Sequence, residues 1–204
     1  MEHGSGAPTP RTSRGERTRA RLLEATRAAI AERGYVAARV EDIVALAGVS
    51  HGTFYTYFEN KAAALDALIG ATATELQSVV DEPWDGPDTT AAIEAVIGRF
   101  VALFATHAPV VRAWLEASAH DPHFATRLRV VRGGYVHRVA EVLAPALAGT
   151  GHDPSLAATA LVAMVEGAVT QGVVDRGPVG QGELVLTLRS LWVGGVVRLC
   201  EDEG

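Results

Sequence analysis

The chain has one cysteine (Cys200), two methionines and a single lysine (Lys61), and aromatic residues make up only 6% of it. A lone cysteine closes no intramolecular disulfide, so nothing calls for an oxidising compartment. Cys200 reads as a small apolar residue near the end of a helix. No apolar run reaches the roughly 20 residues of a membrane span; the best candidate, 157–169, is interrupted by Glu166. The first residues hold no apolar stretch of signal-peptide type, and strand patterns are almost absent. Nucleophile–base pairs, a glycine-rich phosphate loop and a metal set of convincing spacing are also missing, which disfavours an enzyme. His120 and His123 can share a helix face, but the intervening Asp121-Pro122 is already explained as a helix start. The expectation is a cytoplasmic protein with no catalytic residues, cofactor, metal or membrane partner.

What is present is an apolar interior and an uneven charge. At 48% hydrophobic residues over 204 positions, the bulk of the chain can bury a core. The net charge of −6 is not shared evenly: residues 1–61 carry nine basic and seven acidic side chains, whereas residues 62–204 carry nine and seventeen. An acidic total argues against a generally basic coat protein for nucleic acid, while a basic N-terminal portion leaves local binding open.

Apolar residues recur at helical spacing nearly everywhere, which predicts an all-α fold of about nine helices. Residues 1–10, with glycine, serine and two prolines, read as a disordered leader. A first helix is expected from about Arg14 to Arg33, opened by a Ser13/Glu16 capping box, lined inside by Leu22, Thr26, Ala29 and Ile30, and stopped by Gly34. A short second helix spans Val40 to Ala47. Gly48 ends it, and Ser50 caps a third from His51 to about Tyr57. The fourth buries Leu65, Leu68, Ile69, Thr72 and Leu76. After a turn-rich break at 81–88, the fifth carries Ile93, Ile97, Phe100 and Phe104, and the sixth Val111, Trp114 and Leu115. A long seventh follows Asp121-Pro122, with Gly133-Gly134 as its weak point. The eighth runs to about Val174, and the ninth carries Leu184, Leu188, Leu191, Trp192, Gly195 and Leu199. The domain reading is a leader at 1–10, a DNA-binding domain at 11–62 and a helical ligand-binding and dimerisation domain at 63–204.

Residues 40–61 hold the functional signal. Two short helices joined by Gly48-Val49-Ser50 fit a helix-turn-helix, whose second helix enters the major groove. Phe54 and Phe58 face inward, leaving His51, Gly52, Thr53, Tyr55, Thr56 and Tyr57 largely outside. Two tyrosines, a histidine and two threonines suit phosphates and base edges better than bulk solvent, and Gly52 lets the backbone approach closely. A plain pair of helices with polar caps is the alternative. The eight arginines against three acids in residues 11–39 weigh against it, and Arg14 and Arg17 are placed to reach a phosphate backbone or a minor groove.

Gly34-Tyr35, Val40-Glu-Asp-Ile43, Ala47-Gly-Val-Ser50, Gly52-Thr-Phe-Tyr55, Tyr57-Phe58 and Asn60-Lys61 together resemble the DNA-binding signature of the tetracycline-repressor (TetR) family. The resemblance covers roughly residues 14–65; beyond it only length and helical pattern agree. It implies a base-reading position at His51, phosphate contacts from Thr53, Tyr55 and Tyr57 (Tyr55 also touching bases), and a phosphate-holding lysine at Lys61. Arg39 departs from the Ser or Thr common in the family just before the second helix, trading a cap for a phosphate contact. Glu41 either reads a cytosine amino group or faces solvent.

The resemblance further implies a homodimeric repressor on a palindromic double-stranded DNA operator, released by a small molecule. Dimerisation is expected from helices eight and nine, with Gly167, Leu188, Leu191, Trp192 and Gly195 in an intersubunit four-helix bundle; packing within one subunit is the alternative. An apolar or amphipathic effector is expected among Phe100, Phe104, His107, Trp114, Phe124, Tyr135, Met164 and Gln171, with Glu166 as a further polar contact; an ordinary packed core is the alternative there. The rival function is a helical protein-interaction module without specific DNA binding.

Overall fold

A computed structural model describes residues 11–84, 89–174 and 180–201, and among these it contains nine α-helices and no strand. The proposed leader at 1–10, residues 85–88 of the turn-rich break and residues 175–179 lie outside the described residues. The chain divides into two compact units, Met1–Leu68 and Ile69–Gly204. The division falls inside one helix, a little beyond the expected border at 62/63.

The first unit contains α1 (Arg11–Arg33), α2 (Val40–Ala47), α3 (His51–Tyr57) and the start of α4 (Lys61–Asp81). Ser13 lies within α1, so it does not cap that helix; arginine is a strong helix former and carries the helix upstream of the expected start. The inner stripe is as the spacing predicts: Leu22, Thr26, Ala29 and Ile30 are all buried. The buried Thr26 hydroxyl donates to the Leu22 carbonyl at 2.7 Å, which satisfies the one polar group in that stripe. Gly34 stops α1 at φ 78°, a conformation only glycine adopts freely.

The second unit continues α4 and adds α5 (Thr89–Thr106), α6 (Ala108–Ser118), α7 (Pro122–Leu143), α8 (Pro154–Val169) and α9 (Gln181–Glu201). Both Asp-Pro signals are helix starts: Asp121 accepts from the His123 N–H and Asp153 from the Ser155 N–H, each at 2.9 Å, with proline in the first turn. The eighth helix is shorter than its periodicity suggests, because Thr170–Val174 winds as a π-helical turn. The Gly133-Gly134 pair does not interrupt α7. A Cβ at Gly134 would lie 2.8 Å from Gln77 Oε1, the movable end of a long side chain on α4. The core of this unit runs from Leu76, Val80 and Ile97 through Phe100, Tyr135 and Val165 to Leu188 and Trp192. No single described helix is long and apolar enough to cross a membrane.

Candidate nucleic-acid interface and inner cavities

The turn between α2 and α3 is built from its own sequence. Gly48 adopts φ 60° and, with Val49, returns its N–H to α2 carbonyls at 3.2 and 3.1 Å. Ser50 Oγ accepts the Thr53 N–H at 3.1 Å and caps α3. Phe54 and Phe58 anchor α3 inward with ring centroids 5.8 Å apart, and both are buried. This leaves His51, Gly52, Tyr55 and Thr56 exposed and Thr53 and Tyr57 half-buried. Tyr55 is 56% exposed although its ring stands edge-on to Phe54. An aromatic side chain left that open is the unusual feature of this surface.

Arg14 and Arg17 are exposed on α1 and join Thr18, Arg21, Gly48, Val49 and Thr53 around an open cleft of about 530 Å³. Arg21, which the sequence reading did not single out, also donates to the Ala47 carbonyl at the end of α2. A cation there complements the negative end of the helix. Its only sequence signal was membership of the arginine-rich lead-in. The cleft thus gathers three guanidinium groups beside the start of α3.

The remaining predicted residues have acquired partners. His51 Nε2 lies 3.6 Å from Glu41 Oε1, both side chains being largely exposed. Arg39 occupies the N-cap position of α2 without a side-chain cap, since a guanidinium has no acceptor. The Asp42 carboxylate accepts the Arg39 N–H at 2.9 Å and pairs with Arg33 at 3.3 Å. Arg39's own side chain stays exposed. Lys61 packs against the loop between α1 and α2. Its Nζ donates to the carbonyls of Tyr35, Ala38 and Val36 at 2.5, 2.7 and 3.3 Å, and sits 4.5 Å from the Tyr35 ring centroid. An ammonium has three donors, so Lys61 closes the loop between α1 and α2, and a phosphate would have to take over one of these bonds.

In the second unit, a cavity of about 40 Å³ is walled by Val80, Trp84, Phe100, Tyr135, Glu166 and Trp192 together with aliphatic side chains. A neighbouring one of about 30 Å³ has Phe104, Trp114 and Arg132 in its wall and shares Tyr135 and Glu166 with the first. Glu166 Oε2 accepts from Arg132 Nε at 2.5 Å. Burial pushes the Glu166 carboxyl up, Arg132 pulling it partly back. Burial, and then the Glu166 charge, push the Tyr135 phenol far above its usual range.

Of the predicted effector residues, Phe100, Phe104, Trp114 and Tyr135 stand in these walls. The other four do not. Phe124 is buried in neither wall, and its carbonyl accepts the Trp114 indole N–H at 3.1 Å. His107 is buried between α5 and α6, with Nε2 2.9 Å from Glu75 Oε2 and Nδ1 3.4 Å from Thr72 Oγ1. Met164 is half-buried against the core, and Gln171 is exposed. Trp84 and Arg132 were missed as wall residues, Trp84 because it lies in a turn-rich segment whose polarity hides a half-buried side chain.

The expected dimer set separates in the same way. Gly167 and Gly195 are exposed with open space around them, and Leu191 is 55% exposed. Leu188 and Trp192 are instead buried inside the unit, at 2% and 3% exposure, and have no surface to offer a second copy. They share a helix with Leu191, and a single helix stripe cannot tell an inner from an outer partner.

Residues 22–68 match the family described as bacterial regulatory proteins, tetR family, and residues 89–191 match the C-terminal part of BetI-type transcriptional repressors. The chain is 27% identical over 208 residues to the HTH-type transcriptional regulator EthR of Mycolicibacterium smegmatis, covering 96% of each. It is 31% identical over 176 residues to an HTH-type transcriptional regulator of Mycobacterium tuberculosis, covering 84% of this chain and 88% of the relative. Among solved structures, GusR of Salmonella enterica superposes with a TM-score of 0.72 at 21% identity, covering 89% of this chain and 96% of that one. The fatty acid degradation regulator FadR of Bacillus halodurans gives 0.68 at 24% identity, over 86% and 98%. At these identities the two structural likenesses concern the fold alone.

Proposed function

The chain belongs to the TetR family of bacterial regulatory proteins and is a ligand-responsive, DNA-binding regulator of transcription; we propose that it represses, as a homodimer on a palindromic operator in the cytoplasm, and that a small molecule held in the second unit releases it. The observation that carries this reading is the surface of α3, where His51, Gly52, Tyr55 and Thr56 face outward beside a cleft holding Arg14, Arg17 and Arg21. Hydroxyl and guanidinium groups of the rim take the phosphates, and the start of α3 takes the base edges. A protein-interaction module would leave that charge and those exposed side chains without a use.

The dimer surface in this reading is the outer face of α8 and α9. Leu156, Leu186, Leu191 and Val197 are exposed on these two helices at 69, 52, 55 and 46%, and Gly167 and Gly195 have open space around them. Exposed apolar groups of this size concentrated on two helices suit an interface. The effector site is the pair of cavities around Tyr135 and Glu166. Leu76 and Val80 of α4 stand in their walls, while Lys61 at the start of the same helix holds the loop of the reading unit. A ligand that favours the arrangement unable to span two operator half-sites shifts the population off DNA through this helix.

The test is selection of bound fragments from the source genome by the full chain, followed by sequencing, with sedimentation in parallel. Enrichment of a palindrome by a dimer supports the reading. A stable monomer at micromolar concentration, or DNA binding with no sequence preference and no steep salt dependence, overturns it.

A further inference from the structure

Helix α7 lines two spaces with two neighbouring stripes. Leu128, Val131 and Tyr135 stand in the wall of the smaller cavity. Arg127, Val130, Val131 and Gly134 form one side of an open groove of about 470 Å³, whose other side is α4 from Gly70 through Gln77 to Asp81. Residues three and four apart share a helix face, and Val131 belongs to both stripes. It is half-buried, with the groove on one side and the cavity on the other.

The groove is only lightly covered. A Cβ at Gly70 would lie 2.8 Å from an Arg127 guanidinium nitrogen, and one at Gly134 would lie 2.8 Å from Gln77 Oε1. The ends of two long side chains thus rest where the helices carry no side chain of their own. Gln77 Nε2 is held by an exposed hydrogen bond to Asp81 Oδ1 at 2.8 Å, which water can replace at little cost. Val130 beside them is 69% exposed.

Other sides of the small cavity are tied more firmly. The buried Trp114 Nε1–H donates to the Phe124 carbonyl at 3.1 Å and joins α6 to the start of α7. Between α7 and α8, Arg132 holds Glu166, and parting them would leave a buried carboxylate without its cation. The larger cavity lies behind Tyr135 and Glu166, which stand in both walls. Each chamber holds no more than a few waters, so a larger ligand has to part side chains on its way in. Those that part most cheaply lie toward α4.

We propose that the groove between α4 and α7 is the entrance to the effector site: the effector moves the ends of Arg127 and Gln77 aside, passes Val131 and enters the smaller cavity. The inner end of this route is aliphatic, through Ala73, Val130 and Val131, so the part of the effector that leads is apolar. This rests on the reading of the cavities as the effector site.

The test uses the full chain and iodobenzene, an apolar quencher whose arrival is read from the tryptophans in the cavity walls, Trp84, Trp114 and Trp192. A residue on the way in changes association and dissociation by the same factor and leaves Kd, their ratio, alone, whereas a residue of purely structural role does not. Gly134→Leu should therefore slow both rates by at least about tenfold with Kd within about twofold, and Gln77→Ala should speed both by about threefold. Gly133→Leu is the control, because Gly133 is exposed, does not line the groove and has nothing near its Cβ position; it should leave both rates as they are. If Gly134→Leu fails to fold, the rates of Gln77→Ala decide the question. An association rate in Gly134→Leu equal to that of the control overturns the entrance and leaves the cavities standing, as does a changed Kd with association unmoved. Iodobenzene that gives no saturable quenching overturns the reading of the cavities as the effector site, and the entrance with it.

Discussion

The imidazole of His51 and the carboxylate of Glu41 face each other across the helix-turn-helix, Nε2 to Oε1 at 3.6 Å. One residue opens α3 and the other lies in the first turn of α2, and both are exposed. A pair of this kind contributes little to stability, but it fixes which way the imidazole faces. In the proposed reading, Glu41 positions the base-reading side chain.

His51→Ala should therefore change which bases are preferred at one operator position, with a loss of about 1–3 kcal/mol confined to that position. Glu41→Gln should broaden the same position by less. Both variants should unfold within about 0.5 kcal/mol of the wild type. Binding selection on randomised operators checks this, and a uniform loss across all sequences would remove His51 from the base edges.

Lys61→Met should act first on stability. It removes hydrogen bonds from a charged donor to three carbonyls, and about 2 kcal/mol is the expected loss. The salt dependence of DNA binding should keep its slope, because in this arrangement Lys61 faces the loop. Denaturant unfolding and salt titration of the same variant separate the two roles. A slope reduced by about one with stability intact would place Lys61 on a phosphate.

Gly52 is not required by the fold. A Cβ there would meet only Ser50 Oγ, at an ordinary 3.8 Å. Gly52→Ala should thus stabilise the protein by up to about 1 kcal/mol, as glycine gives way to alanine in a helix. It should weaken DNA binding if the backbone comes close to DNA at this point. Unchanged binding would leave Gly52 without a functional reason.

Glu166 makes stability depend on pH. Burial lifts its carboxyl above the ordinary 4.5, against the pull of Arg132. A raised acid contributes stability that is fully present below the unfolded value and is lost as pH rises through the folded one. Glu166→Gln carries no such loss. Its melting temperature should therefore gain on the wild type as pH rises from about 4 to about 8, as read by thermal unfolding in matched buffers. A gap that stays constant would mean that Arg132 fully offsets the burial.

Local signals account for most of what was legible in advance. The capping of α3 by Ser50, the left-handed stops at Gly34 and Gly48, and both Asp-Pro helix starts depend on residues within a few positions of each other, and each appears where the sequence placed it. The stripe from Leu22 to Ile30 and the inward Phe54 and Phe58 follow from helical period alone. The start of α1 was misplaced because Ser13 is a capping residue only if the chain before it is not helical. No local rule marks the π-helical end of α8.

The sequence by itself determined an all-helical chain, its turn chemistry and the outward placing of His51, Gly52, Tyr55 and Thr56 on α3, because each of these follows from backbone preferences and from periodicity within one segment. Only the tertiary structure decided which partners the long side chains take. Lys61 closes a loop more than twenty residues earlier in the chain, Arg21 caps α2, and Trp192 turns into the core while Leu191 beside it stays outside. These choices depend on which helix lies opposite, a contact between distant segments that no stripe on a single helix encodes.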